Sequence, residues 1–78
     1  MPHITLKMLK GRTDEQKKLA TEKLSAALHD AIGATESHIS VSIEEYTPEE
    51  WQKVFAEEIE NNKNLTQQPH YDPKSLLK

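Results

Sequence analysis

Cysteine is absent from these 78 residues, so no disulfide staples the chain and no thiolate serves it as ligand or nucleophile. Aromatic residues are scarce, with one Trp, one Phe and two Tyr, and hydrophobic content is 35% at a mean hydropathy of -0.80. Those values are low for a lone globular unit without reaching the composition of disorder. No run is apolar over the roughly 20 residues that a membrane-spanning helix needs, and the N-terminus lacks the apolar stretch of a signal peptide. The expected location is the cytoplasm. Positive charge is not in excess: the net charge of -3 leaves no basic footprint for a nucleic acid. Four histidines are present, but none pair at the H-x-x-x-H spacing of helical metal sites, so neither a metal nor a cofactor is predicted; His3, next to Pro2, is the one candidate among them to support a site from behind the residues that touch a ligand.

A chain this short buries only about 60% of the surface its unfolded form exposes. With no covalent staple, association with further copies is the expected source of additional core.

The pattern that is present begins at once. From Pro2 to Leu9, Ile4, Leu6 and Met8 alternate with His3, Thr5 and Lys7, the period of a half-buried strand. Lys10-Gly11-Arg12 is a turn. Thr13 with Gln16 three residues on forms a capping box, Asp14 and Glu15 suit the positive end of the helix dipole, and Gly33 after Ile32 is a natural C-cap. Between them Leu19, Ala20, Leu24, Ala27, Leu28, Ala31 and Ile32 recur at helical spacing and predict a stripe facing a sheet. A second alternation, Ile39, Val41 and Ile43 against His38, Ser40, Ser42 and Glu44, predicts a strand from His38 to Glu45.

Strand, helix, strand is a β-α-β unit, whose crossover makes the strands parallel and right-handed. The fold class is thus α/β. Two strands are too few for a stable sheet, so two copies are expected to pair into a four-stranded sheet with both helices on one face. Thr47-Pro48-Glu49-Glu50 opens a second helix, predicted from Pro48 to about Glu60, with Trp51, Val54, Phe55 and Ile59 on one face. The predicted domain is 1–62. Residues 63–78, polar and carrying Pro69 and Pro73, form a tail without regular structure, in which Tyr71, Leu76 and Leu77 are candidates to fasten it to a partner subunit. The acidic residues, Glu44 and Glu45 among them, read as solvated faces and helix-start charges.

Pro2 is the candidate catalyst. A small second residue favours removal of the initiator methionine, which exposes a secondary amine; a strand follows directly and fixes a terminus that otherwise frays. Ordinary α-amino groups titrate at about 7.7 to 8.0. A proline amine starts higher, and an apolar pocket or a nearby cation disfavours its charged form. An amine neutral at physiological pH is a general base.

Pro2, the strand, Gly11-Arg12-Thr13-Asp14-Glu15-Gln16-Lys17, the helix and the second strand to about Glu45 together resemble the 4-oxalocrotonate tautomerase family. The resemblance covers roughly the first two thirds of the chain. It implies catalysis by Pro2, a substrate carboxylate held by Arg12, and Trp51 as the aromatic wall of the pocket. Well-known members carry an arginine where this chain has Ser40, which can donate a hydrogen bond but brings no charge to an enolate oxygen. That difference, with the longer chain and the helix after Thr47, points toward the small dimeric bacterial tautomerases and enols of arylpyruvates. The expected function is a cofactor-independent keto-enol tautomerase acting on enols of 2-oxo acids such as phenylpyruvate, as a homodimer sooner than a hexamer. A strand of about 25 Å separates Arg12 from its own Pro2, so a neighbouring subunit is expected to supply the arginine. The alternative is a non-catalytic dimeric binding module with the same fold.

Overall fold

The structure is a computed structural model that describes residues 1–78. The chain divides into two compact units, Met1–Glu45 and Tyr46–Lys78.

In the first unit, β1 spans His3–Leu9, α1 spans Asp14–Ile32, a single 3-10 turn covers Glu36–His38, and β2 begins at Ser40 and ends at Tyr46. The two strands pair in one parallel two-stranded sheet. The predicted 19-residue helix forms with the expected ends. Thr13 Oγ1 accepts from Gln16 N at 3.1 Å while Gln16 Oε1 accepts from Thr13 N at 2.9 Å, the reciprocal bonds of a capping box. At the other end Gly33 turns left-handed at φ 71° and donates to the His29 carbonyl over 2.8 Å. β2 starts two residues later than predicted, because His38 donates its amide to the Thr35 carbonyl and closes the short turn.

Alternation assigns the sheet two faces. Ile4, Leu6 and Met8 of β1 share one face with Val41, Ile43 and Glu45 of β2, whereas His3, Thr5, Lys7, Ser40, Ser42 and Glu44 share the other. Lys17 of α1 reaches Glu45 Oε1 at 2.6 Å, which sets the helix over the apolar face. Along α1 the half-buried positions are Lys17, Ala20, Thr21, Leu24, Ser25 and Leu28. The predicted stripe was broader: Ala27 and Ala31 are exposed, Leu19 is 51% exposed and Ile32 66%. Two strands about 4.8 Å apart offer a helix only a narrow strip, so residues flanking the central row fall off its edge. No residue of this unit is fully buried.

In the second unit, α2 spans Pro48–Phe55 and continues through a widened π turn, Ala56–Glu60. Thr47 and Glu50 form a second capping box, with bonds of 3.1 and 2.8 Å. Asn61 donates both its amide and its side-chain nitrogen to the Ala56 carbonyl five residues back, which widens and ends the last turn. Val54, 8% exposed, is the one buried residue of the chain. Past Asn62 the chain, predicted to lack regular structure, makes a 3-10 turn at Pro73–Leu76. Asp72 organises it by accepting from Lys74 N at 3.0 Å. The segment packs on α2 of its own chain: Trp51 Nε1 donates to the Tyr71 hydroxyl at 2.9 Å and Gln52 Nε2 to the Pro73 carbonyl at 2.8 Å.

Candidate active site

Pro2 stands directly before β1 and is half-buried, while Met1 is exposed. The Pro2 carbonyl accepts from the Ser40 amide at 3.2 Å, so the first bond of the parallel ladder ties the proline to the start of β2. This pins a residue that would otherwise fray, and it brings two of the four predicted site residues, Pro2 and Ser40, to the same end of the sheet.

Ser40 is exposed, and its side chain is engaged. Its Oγ lies 2.6 Å from His3 Nδ1. The other ring nitrogen, Nε2, lies 3.3 Å from Ser42 Oγ, and the Ser42 hydroxyl donates to Thr5 Oγ1 at 3.4 Å. Four side chains thus run in a chain across the polar face, followed along the strands by the pair Lys7–Glu44 at 3.9 Å.

Arg12 stands in the turn after β1, exposed, between Gly11 at φ 131° and the helix cap Thr13. Only a residue without a Cβ adopts that Gly11 conformation at no cost, and it turns the chain from strand to helix within a few residues. The seven residues of β1 extend about 23 Å at about 3.3 Å each, which exceeds the reach of an arginine side chain. Arg12 and Pro2 of one copy therefore do not meet.

Trp51 belongs to the second unit. Besides its bond to Tyr71, its ring stands 6.2 Å from that of Tyr46, tilted by 59°, and Tyr71 meets Phe55 edge-on at 5.5 Å. The four aromatics are one cluster on α2 and its flanks.

Two features escaped the sequence reading. Glu45, read as a solvated carboxylate, faces α1 and pairs with Lys17, which also lies 3.7 Å from Asp14. The hydrogen bond from Glu45, reinforced by its charge and that of Asp14, raises the Lys17 pKa above the ordinary lysine value. The second is the identity of the partners of His3: the histidine beside Pro2 is a candidate from sequence, whereas its bonds to Ser40 and Ser42 depend on strand register. No three His, Cys, Asp or Glu side chains stand together as a metal-ligand group.

Comparison with known proteins agrees with this architecture. The family described as "Tautomerase enzyme" matches residues 2–61. A 2-hydroxymuconate tautomerase of Bacillus subtilis is 53% identical over 45 residues, 58% of this chain and 73% of that protein. A probable tautomerase of Xylella fastidiosa is 33% identical over 73 residues, covering 91% and 89% of the two chains. Among solved structures, YwhB, a homologue of 4-oxalocrotonate tautomerase, superposes with a TM-score of 0.61 at 47% identity over 63% of this chain and 80% of that one. With the proline at the head of a parallel β-α-β unit and a family match that begins on that proline, the chain belongs to the tautomerase family, in the group of the 4-oxalocrotonate tautomerases, and is an isomerase of the keto-enol type.

Proposed function

We propose that the chain, once Met1 is removed, uses the Pro2 nitrogen as the general base of keto-enol tautomerisation of 2-oxo acids such as phenylpyruvate. The unprotonated amine takes the proton from the enol hydroxyl, the electron pair moves through C2 to C3, and the same nitrogen returns the proton to C3. One base serves both steps, so no cofactor enters. The observation that carries this reading is the anchored position of Pro2, held at the edge of the sheet by the Ser40 amide.

Arg12 of a second copy holds the C1 carboxylate, for which a planar guanidinium is shaped. Ser40 donates to the C2 oxygen, and Trp51 walls off the aromatic ring. Relatives named 2-hydroxymuconate tautomerase imply by that name a substrate with two carboxylates. Ser40 offers a hydroxyl and no charge, which favours a substrate with one. The second copy joins by its sheet to give four strands, consistent with a first unit in which no residue is fully buried.

Replacing Pro2 by alanine tests the base. Ketonisation of phenylenolpyruvate is expected to fall by about 10²- to 10⁴-fold, the worth of a placed general base, with secondary structure unchanged by circular dichroism. Full turnover in that variant, or Met1 retained in active material by intact mass, overturns the assignment.

A further inference from the structure

The polar face of the sheet holds a connected chain of polar side chains, Ser40, His3, Ser42 and Thr5. With Nδ1 protonated the ring would donate to Ser40 at every pH; where Ser42 instead gives its hydroxyl proton to Thr5 Oγ1, it accepts from His3, and Nε2 of the ring holds the hydrogen. In neutral His3 the other nitrogen, Nδ1, is then bare and takes the Ser40 hydroxyl proton across 2.6 Å. Ser40 in this state presents only lone pairs to anything else. When His3 gains a proton, Nδ1 becomes a donor to Ser40 Oγ, and the serine proton turns outward.

From this geometry we infer that His3 is a positioning residue that decides whether Ser40 donates to the substrate's C2 oxygen. The inference rests on the proposed role of Ser40 and deepens it. With His3 neutral, Ser40 meets the C2 oxygen lone pair to lone pair. With His3 as imidazolium, Ser40 donates, and positive charge stands one hydroxyl away from an oxygen that becomes anionic as the enol loses its proton. A dyad of serine and histidine thus supplies, conditionally, part of what a permanently charged residue would supply. His3 is exposed and lies next to Pro2 in the chain. The charged groups sharing its face are Lys7 on its own strand and Glu44 on β2, paired with each other at 3.9 Å, and the titratable amine of Pro2 adjoins it in the chain. α1 lies on the opposite face and presents no titratable group to His3.

Linkage gives the test a readout independent of turnover. Benzoylformate is a 2-oxo acid with no hydrogen on the neighbouring carbon, so it binds without enolising. If Ser40 donates to its oxo group only when His3 is charged, saturating benzoylformate must raise the His3 titration midpoint, and binding must tighten by about three- to tenfold, the worth of a hydrogen bond, as His3 becomes protonated. Imidazole ¹⁵N shifts of His3, followed from pH 5 to 8 with and without benzoylformate, report both the charge and which nitrogen holds the hydrogen.

Wild type is expected to show the raised midpoint, Ser40→Ala to lose it, and Ser40→Thr, which keeps the hydroxyl, to restore it. His3→Asn places an amide, which does not titrate, where Nδ1 stood and should make benzoylformate affinity lose its change between pH 5 and 8. An equal rise in Ser40→Ala overturns the inference, because charge acting through space then explains it. So does absence of benzoylformate binding at every pH. If Pro2→Ala abolishes phenylenolpyruvate ketonisation while the His3 midpoint ignores benzoylformate, the proposed function stands and this inference alone falls.

Discussion

Trp51 donates its indole hydrogen to the hydroxyl of Tyr71, twenty residues later, over 2.9 Å. On one side the indole ring meets Tyr46 and on the other its nitrogen is held by a tyrosine that itself stands against Phe55. The tail therefore reaches the residue proposed to cover the substrate, and it does so within its own chain. A side chain fixed from two sides is a better wall than one free to change rotamer, because less is lost in ordering it when substrate arrives.

Replacing Tyr71 by Phe keeps the ring against Phe55 and removes the acceptor of the indole hydrogen. Tyr71 is 43% exposed, so water can take over the bond, and the stability loss should lie at the lower end of about 0.5 to 1.5 kcal/mol. The effect on catalysis is expected in KM for phenylenolpyruvate, which should rise by up to about fivefold on the same scale, with kcat preserved. A wall binds the aromatic ring alike before and during proton transfer, and loss of uniform binding appears in KM. Steady-state kinetics alongside the Trp51 emission spectrum check this; an unchanged KM separates Tyr71 from the pocket.

The ion pair between Lys17 and Glu45 sets a pH limit on the first unit. Its folded pKa is raised above the unfolded value, chiefly by the hydrogen bond to Glu45. The sign follows: the contribution is full below the unfolded lysine value of about 10.4 and is lost as pH climbs through the higher folded value. Glu45→Gln removes the charge that sustains the shift. Denaturant midpoints of wild type and Glu45→Gln should differ by a constant amount from neutral pH to about pH 10 and converge above that. A gap that stays level into strong alkali excludes the pair as its source.

Local chemistry made much of this fold readable from the residues. Thr13 with Gln16, Gly33, and Thr47 with Glu50 mark helix ends through bonds spanning three or four residues, and each forms as its spacing demands. Strand alternation likewise identified the polar face. Which polar residue meets which is a matter of register between strands 37 residues apart, and no local pattern specifies that; hence Ser40 could be singled out while its bond to His3 could not. Glu45 was misread for a related reason. A carboxylate at an inward position looks solvated until the helix above it is found to carry Lys17 at the matching turn. The width of the α1 stripe depended on how many strands lie beneath the helix, which is a property of the assembly.

The cap at Thr13 also bears on the site, because Arg12 is the residue immediately before it. Thr13→Ala leaves the first-turn amide of Gln16 without its side-chain acceptor and should cost about 1 kcal/mol of stability. The turn that presents Arg12 then frays, and carboxylate binding weakens. KM for phenylenolpyruvate should rise, whereas Thr13→Ser, which retains the cap, should leave it near wild type. If the alanine variant loses stability but keeps its KM, the cap is structural only and Arg12 does not depend on it.

Separation of Arg12 from Pro2 along β1 leads to a test of the assembly itself. If the arginine serving each proline comes from another copy, a Pro2→Ala chain and an Arg12→Ala chain are each inactive alone but complement each other when mixed. In a two-fold dimer a mixed pair has one site with both residues altered and one with both intact. Random reassembly of equal amounts makes half the dimers mixed, so the expected recovery is roughly a quarter of wild-type ketonisation for a symmetric pair. The two variants should be unfolded together, refolded together and assayed against separately refolded controls. Recovery near that level requires a shared site. No recovery, with mixed dimers verified by native mass spectrometry, places Arg12 outside the site of either copy, since its own strand already holds it too far from its own proline.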